Sequence, residues 1–147
     1  CGVRGNGRHW LGAGALPDVE HVWVGDLNPQ NRNFVLQRAD VLGLGGLISV
    51  HRDLASTQDV KFDTLICLDV LEHLPNPSQQ LLAFHQRLSN QSIALMNWYF
   101  FKGNQGEYPF HFDDKYLVES FFKTLQKNFI EVFHPFLITA RSYKQIF

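Results

Sequence analysis

Residues 62–74 read Phe-Asp-Thr-Leu-Ile-Cys-Leu-Asp-Val-Leu-Glu-His-Leu, and this stretch decides the fold class. Its apolar run has the length of a β-strand and is nearly continuous, which is typical of a strand covered on both faces of its sheet. Polar residues follow where the strand ends, namely Asp69, Glu72 and His73. The stretch therefore predicts a buried strand with functional side chains at its carboxyl end.

Further apolar segments of strand length occur along the chain. They span residues 21–25, 47–51, 92–96, 129–133 and 136–140. Near-continuous apolar strands of this kind predict a mostly parallel sheet with helices on both faces.

Helix signals lie between these strands. Asn28 and Asn76 each stand directly before a proline, which is the usual arrangement of an N-cap and a first helical residue. Asp113 is the predicted N-cap of a third helix, and Gly43 is among the glycines that end the first. The alternation of strands and helices predicts a doubly wound α/β domain.

The composition fits one soluble, globular domain over residues 1–147. The hydrophobic fraction is 45% and the charged fraction 18%, so the chain can form a core and is not disordered. The net charge of −1 lacks the basic excess that favours nucleic acid, and no apolar run is long enough for a membrane span. Two cysteines favour a reducing, cytoplasmic location, and Cys67 is predicted to be a buried structural thiol.

Acidic residues follow three of the predicted strands. These are Asp26, Asp53 and Asp69. In an open α/β sheet, ligands bind beyond the carboxyl ends of the strands, where a carboxylate can accept hydrogen bonds from both hydroxyls of a ribose. Glycines in the first turn, such as Gly2 and Gly5, let backbone N–H groups approach a ligand closely.

Four stretches resemble the successive motifs of class I S-adenosylmethionine-dependent methyltransferases. They are residues 1–5, 24–29, 50–54 and 62–74. The last is the most specific, because Phe-Asp before the strand and Val-Leu-Glu-His-Leu after it form a signature of the family's small-molecule branch. Residues 111–114, the helix after them and two late strands resemble the family's C-terminal third, so the resemblance covers nearly the whole chain.

The resemblance implies a Rossmann-like fold with a late antiparallel strand, and S-adenosylmethionine as the cofactor. Asp26 would hold the ribose hydroxyls, and Asp53 would accept a hydrogen bond from the adenine amino group. The cofactor-binding residues that it implies are Gly2, Gly5, Asp26, Leu27, Asp53, Leu54, Leu68 and Asp69. The cofactor half would span about 1–75 and the substrate half about 76–147.

The beginning of the chain departs from the family pattern. The family's first motif is a strand that runs into a glycine-rich turn, whereas this sequence opens at Cys1, directly at the turn. We therefore expect the first strand to be missing from this sequence and the domain to be N-terminally truncated.

The predicted reaction is methyl transfer to a small-molecule acceptor by in-line displacement. His73 and His111 are the candidate catalytic bases, needed only when the acceptor is a hydroxyl. Residues 98–101 form either a lid over the acceptor or edge packing. His9, His21, His85 and His134 show no metal-ligand spacing, so no metal site is assigned from the sequence.

Two other functions are compatible with the same fold class. One is a binding or scaffold domain that keeps the methyltransferase fold without catalysis. The other is an NAD(P)-dependent oxidoreductase, which expects a Gly-x-Gly-x-x-Gly turn that this chain does not contain. The sequence leaves the accepting atom and the oligomeric state open.

Overall fold

A computed structural model describes residues 19–57, 60–137 and 139–146 of the chain. Gly2 and Gly5, which were predicted to bind the cofactor, lie outside the described residues. The described part falls into two compact units, one within residues 19–57 and the other within residues 60–146. Within these ranges, none of the helices combines the length and apolar character that a bilayer span requires.

The first unit is a β-α-β arrangement. Its elements are β1 (Val22–Gly25), α1 (Pro29–Val41), β2 (Ile48–His51) and a short 3-10 helix (Ala55–Thr57). β1 and β2 pair in parallel, with Gly25 opposite His51 at their carboxyl ends. Both predicted strands of this unit are confirmed to within a residue.

A side-chain cap and a glycine turn set the two ends of α1. The Asn28 carboxamide oxygen accepts a hydrogen bond from the Gln30 backbone N–H at 2.9 Å, and Pro29 is the first helical residue. At the other end, Gly43 has φ of 70°, and the N–H groups of Gly43 and Leu44 bond back to Asp40 and Ala39. This is a Schellman motif, in which glycine takes the left-handed conformation at low cost.

The second unit contains a four-stranded mixed sheet. Its elements are β3 (Phe62–Cys67), a 3-10 helix (Leu71–His73), α2 (Pro77–Arg87), β4 (Leu88–Met96), α3 (Lys115–Asn128), β5 (Phe129–Val132) and β6 (Arg141–Gln145). The strand order is β3-β4-β6-β5, with β3 and β4 parallel. β6 runs antiparallel to both of its neighbours, so the predicted late antiparallel strand is confirmed.

Aromatic and aliphatic side chains from α2, α3 and the sheet form the core of this unit. Leu81, Phe84 and Phe121 are fully buried, as is Cys67 in β3. Burial raises the pKa of the Cys67 thiol to about 12. The prediction of a buried, structural thiol is therefore confirmed.

Two sequence predictions in this unit are wrong. The N-cap of α3 is Asp114, whose carboxylate accepts from the Leu117 N–H at 2.9 Å, whereas Asp113 lies near the Lys102 ammonium at 3.5 Å. Residues 136–140 form no strand in their described part, and the last strand is β6 instead. Phe136 is 86% exposed, so the apolar character of this segment does not reflect burial.

Candidate functional site

Asp26 lies directly after β1, as predicted for a ribose-binding carboxylate. Its two carboxylate oxygens accept hydrogen bonds from the Asn28 backbone N–H at 2.7 Å and from the Asn31 side chain at 3.1 Å. The Asp26 N–H donates to the His51 carbonyl oxygen, which ties the end of β1 to the end of β2. Because a carboxylate offers about four lone-pair sites, Asp26 keeps acceptor capacity for a ligand.

Asp53 follows β2 and serves a local turn. Its carboxylate accepts from the Ser56 N–H at 3.0 Å, and its carbonyl oxygen accepts from the Ser56 hydroxyl at 2.7 Å. The neighbouring Leu54 is buried, while Leu27, the residue after Asp26, is 66% exposed. These two apolar residues, both implied by the resemblance to bind the cofactor, therefore have opposite exposures.

Asp69 stands at the end of β3 in an unusual conformation. Its φ is 53°, in the left-handed region that few residues other than glycine adopt. Its N–H donates to the Asn97 side-chain oxygen at 2.6 Å, and the Asn97 amide donates back to the Asp69 carboxylate at 2.9 Å. This reciprocal pair joins the carboxyl ends of β3 and β4, and Leu68 precedes it in a half-buried position.

His73 and His111, the predicted candidate bases, come together in the structure. Their ring centroids are 4.7 Å apart in an edge-to-face arrangement. Each ring is oriented by a backbone carbonyl, because Nδ1 of His73 lies 3.1 Å from the Phe110 oxygen and Nδ1 of His111 lies 3.1 Å from the Phe101 oxygen. The two histidines thus form one site, although His73 and Phe110, the residue before His111, are 37 positions apart in the sequence.

Glu72 belongs to this cluster and is buried at 1% exposure. A carboxylate oxygen of Glu72 and one ring nitrogen each of His73 and His111 lie within 4.8 Å of one another. The sequence signal for this group is the Glu72-His73 pair at the end of β3, but nothing in the sequence identifies His111 as its third member. The structure therefore adds a potential metal-ligand set where the sequence analysis assigned none.

The aromatic segment 98–101 divides between two roles. Trp98 and Phe100 pack edge-to-face against Phe121 of α3, with centroids 4.9 and 4.8 Å away. Tyr99 is 50% exposed and packs edge-to-face with His111 at 5.9 Å. The packing interpretation is therefore confirmed for Trp98 and Phe100, while Tyr99 lies beside the histidine cluster and a lid over the acceptor stays a prediction.

Comparisons with known proteins identify the fold. No protein-family model and no curated protein sequence matches the chain. Among solved structures, a protein of Clostridium thermocellum assigned as an rRNA methylase matches with a TM-score of 0.59 and 18% identity, over 86% of this chain and 73% of its own. Magnesium protoporphyrin IX methyltransferase of Synechocystis PCC 6803, solved with bound SAM, matches with a TM-score of 0.58 and 19% identity. The match covers 90% of this chain and 64% of that protein's chain.

The cyclase SpnF also matches, with a TM-score of 0.67 and 14% identity over 88% of this chain and 50% of its own. Structures of different activity therefore share this architecture, so similarity at this level of identity establishes the fold and leaves the reaction open. The chain has the Rossmann-like fold of class I S-adenosylmethionine-dependent methyltransferases. The resemblance seen in the sequence is confirmed at the level of the fold.

Proposed function

We propose that the chain is an S-adenosylmethionine-dependent methyltransferase that acts on a small-molecule acceptor. The observation that carries this proposal is the methyltransferase fold together with a carboxylate, Asp26, at the carboxyl end of β1. S-adenosylmethionine would supply a methyl group on an activated sulfonium. The protein's task is then to hold the acceptor in line and to exclude water, which contributes up to about 7–11 kcal/mol through orientation.

The described residues of the first unit suit a nucleoside. Asp26 is half-buried and has spare acceptor capacity, as two ribose hydroxyls require. Leu27 exposes a large apolar side chain beside it, and covering that side chain with an adenine ring would be favourable. We assign Asp53 and Leu54 to the adenine as well, and Leu68 and Asp69 to the sulfonium end. Gly2 and Gly5 stay predictions.

The second unit offers groups that suit an acceptor. His73 and His111 each hold their Nδ1 atom at a backbone carbonyl, so Nε2 is the ring atom that can take a proton from a hydroxyl acceptor. Tyr99 and Tyr108 expose aromatic surface around them. This surface favours a small, partly apolar acceptor over a polyanion, and a cytoplasmic location belongs to the same proposal.

Calorimetric titration with S-adenosylhomocysteine tests the cofactor assignment. We expect binding to the wild-type chain and a loss of about ten- to a hundredfold in Asp26→Ala, because hydrogen bonds to a charged group contribute about 1.5–3 kcal/mol. Asp40→Ala is the matched control, since Asp40 is an exposed acid of the same unit at the far end of α1. Asp26→Asn keeps an acceptor for the Asn28 N–H and separates loss of charge from loss of local structure.

A panel of phenols, amines and carboxylic acids then tests methyl transfer, with S-adenosylhomocysteine release as the readout. Wild-type binding with turnover on one class supports an enzyme and names its acceptor class. Binding without turnover on any class would favour the scaffold alternative. Absence of cofactor binding by the wild-type chain would refute the proposal.

A further inference from the structure

The cluster of Glu72, His73 and His111 has a composition and geometry that methyl transfer from a sulfonium does not require. A metal-bound histidine cannot also act as a base, because the single lone pair of its ring nitrogen is already shared with the ion, so the role inferred here would replace the base role proposed above. Glu72 and His73 lie on the 3-10 helix after β3, and His111 lies before α3. One nitrogen or oxygen of each side chain lies within 4.8 Å of the others. Two imidazoles and a carboxylate are common ligands of divalent transition metals.

The hydrogen bonds of the two histidine rings suit metal ligation. A backbone carbonyl can only accept a hydrogen bond, so the Nδ1 atoms that face Phe110 and Phe101 must carry the hydrogen. In a neutral imidazole the lone pair then resides on Nε2. Metal-binding histidines characteristically donate their other N–H to a carbonyl or carboxylate in this way, which fixes both tautomer and ring orientation.

Glu72 provides a second, independent observation. Its side chain is 1% exposed, and among the residues that the structure describes its Oε2 atom has no hydrogen-bond partner. A buried carboxylate oxygen without a partner is unfavourable, because it has lost its hydration and gained nothing in return. A cation at the cluster would satisfy it.

The surroundings hold the three side chains in place. The Phe112 N–H donates to the Glu72 carbonyl oxygen at 2.8 Å, which fastens the segment around His111 to the 3-10 helix. Tyr108 stacks on the His111 ring at 5.0 Å with an interplanar angle of 15°. The ligand set is therefore supported by neighbours from both segments.

We propose that Glu72, His73 and His111 bind one divalent transition-metal ion, with zinc or manganese as the representative probes. Zinc bonds of about 2.0–2.2 Å place tetrahedral ligand atoms about 3.4 Å apart, so the side chains close around the ion when it binds. Three protein ligands leave at least one coordination position open, which distinguishes this set from a closed structural site. Two imidazoles select against calcium and magnesium, which prefer oxygen ligands.

The test is metal binding by the whole chain after removal of metal with a chelator. Titration calorimetry with zinc chloride and manganese chloride gives stoichiometry and affinity, and cobalt(II) reports ligand geometry through its visible absorption. We expect one ion per chain in the wild type and at least about tenfold weaker binding in Glu72→Gln and in His111→Ala. His134→Ala is the matched control, because His134 is an exposed histidine of the same unit outside the cluster, and its affinity should match the wild type.

Folding of each variant is checked by circular dichroism and thermal unfolding, and His111→Gln serves if His111→Ala does not fold. One-to-one binding that both cluster variants leave unchanged would overturn the proposal, as would absence of one-to-one binding by the wild type. The readout needs neither cofactor nor acceptor. Asp26→Ala should bind metal like the wild type, so failure of the methyltransferase proposal and failure of the metal proposal give different results.

Discussion

The strand ends of the two units are held in different ways. In the first unit, the carboxylates of Asp26 and Asp53 accept hydrogen bonds from groups within five residues of themselves along the chain. In the second, Asp69 pairs with Asn97, and His73 depends on a carbonyl 37 residues away. Local bonds form wherever the residue pattern occurs, whereas the second arrangement exists only when distant segments pack correctly. We therefore expect the second strand-end region to be more sensitive to changes in the core.

The largest test of this comparison is Phe121→Ala. Phe121 is fully buried in α3 and supports Trp98 and Phe100, which begin the segment that carries His111. Removal of a buried phenylalanine costs about 3–5 kcal/mol, so we expect that loss in the free energy of unfolding, measured with urea. Phe122→Ala is the control, since Phe122 is 38% exposed and should cost about 1 kcal/mol. Equal effects of the two variants would contradict the dependence of the second strand-end region on its buried core.

Substitution of Asp69 tests the pair at the ends of β3 and β4. Asp69→Ala removes the carboxylate that accepts the hydrogen bond from the Asn97 amide. It also leaves an alanine at φ of 53°, where no side-chain hydrogen bond offsets the cost of the left-handed conformation. We expect a loss of about 2 kcal/mol, of which about half is the hydrogen bond and half the left-handed backbone. Asp69→Gly should lose only the first half, because glycine adopts this conformation readily. If urea unfolding shows Asp69→Ala to be as stable as Asp69→Gly or more stable, the left-handed backbone does not contribute to the loss.

Asn28→Ala tests the local character of the first region. Loss of the N-cap bond to Gln30 should cost about 1 kcal/mol. Hydrogen exchange should show faster exchange confined to the first turn of α1. Asn33→Ala, at an exposed position inside the same helix, should instead raise stability slightly, because alanine is the better helix former. Increased exchange spread through the second unit would argue against local control.

The smallest expected effect concerns Glu107. Its carboxylate lies in the second unit but bonds to groups close to it along the chain, as the acids of the first unit do. Hydrogen bonds from its own backbone N–H and from the Gln105 N–H lower the pKa of the Glu107 carboxyl. Because the pKa is lower in the folded turn, the ionised carboxylate stabilises the turn at pH values above the ordinary carboxyl pKa. This stabilisation is lost as the pH falls through the lowered pKa. NMR titration of the Gln105 amide should therefore show a midpoint below the ordinary 4.5. Glu107→Gln should abolish the transition, and a midpoint at or above 4.5 would contradict it.

The sequence predicts most of the fold because burial and capping leave local signals. The strand that ends at Gly25 is apolar throughout, and the strand that ends at Cys67 closes on the apolar run Leu-Ile-Cys. Asn28 and Asn76 start their helices as their side-chain chemistry indicates. β6 has no such local signal, since the exposed Arg141 and Lys144 flank two adjacent buried residues, Ser142 and Tyr143. Its strand character comes from hydrogen bonds to β4 and β5 on both sides, which no local pattern records.

The candidate site divides in the same way. The acids after β1, β2 and β3 are found from their position in the chain alone, because each follows a recognisable strand. The meeting of Glu72 with His111 depends on the path of residues 97–113, which is set by the packing of Trp98 and Phe100 on α3 and by the Phe112 bond to Glu72. Sequence reasoning could identify the two histidines as candidates but not their common site.

The burial of Cys67 makes this thiol a built-in probe of conformational opening. Only the thiolate reacts with alkylating reagents, and a thiol with a pKa of about 12 in a closed core supplies almost none at neutral pH. In a Cys1→Ser variant, the rate of labelling would therefore measure how often the second unit opens around β3. The labelling rate of Cys67 can therefore be compared with and without metal or cofactor, to measure how each of them changes the opening of the second unit.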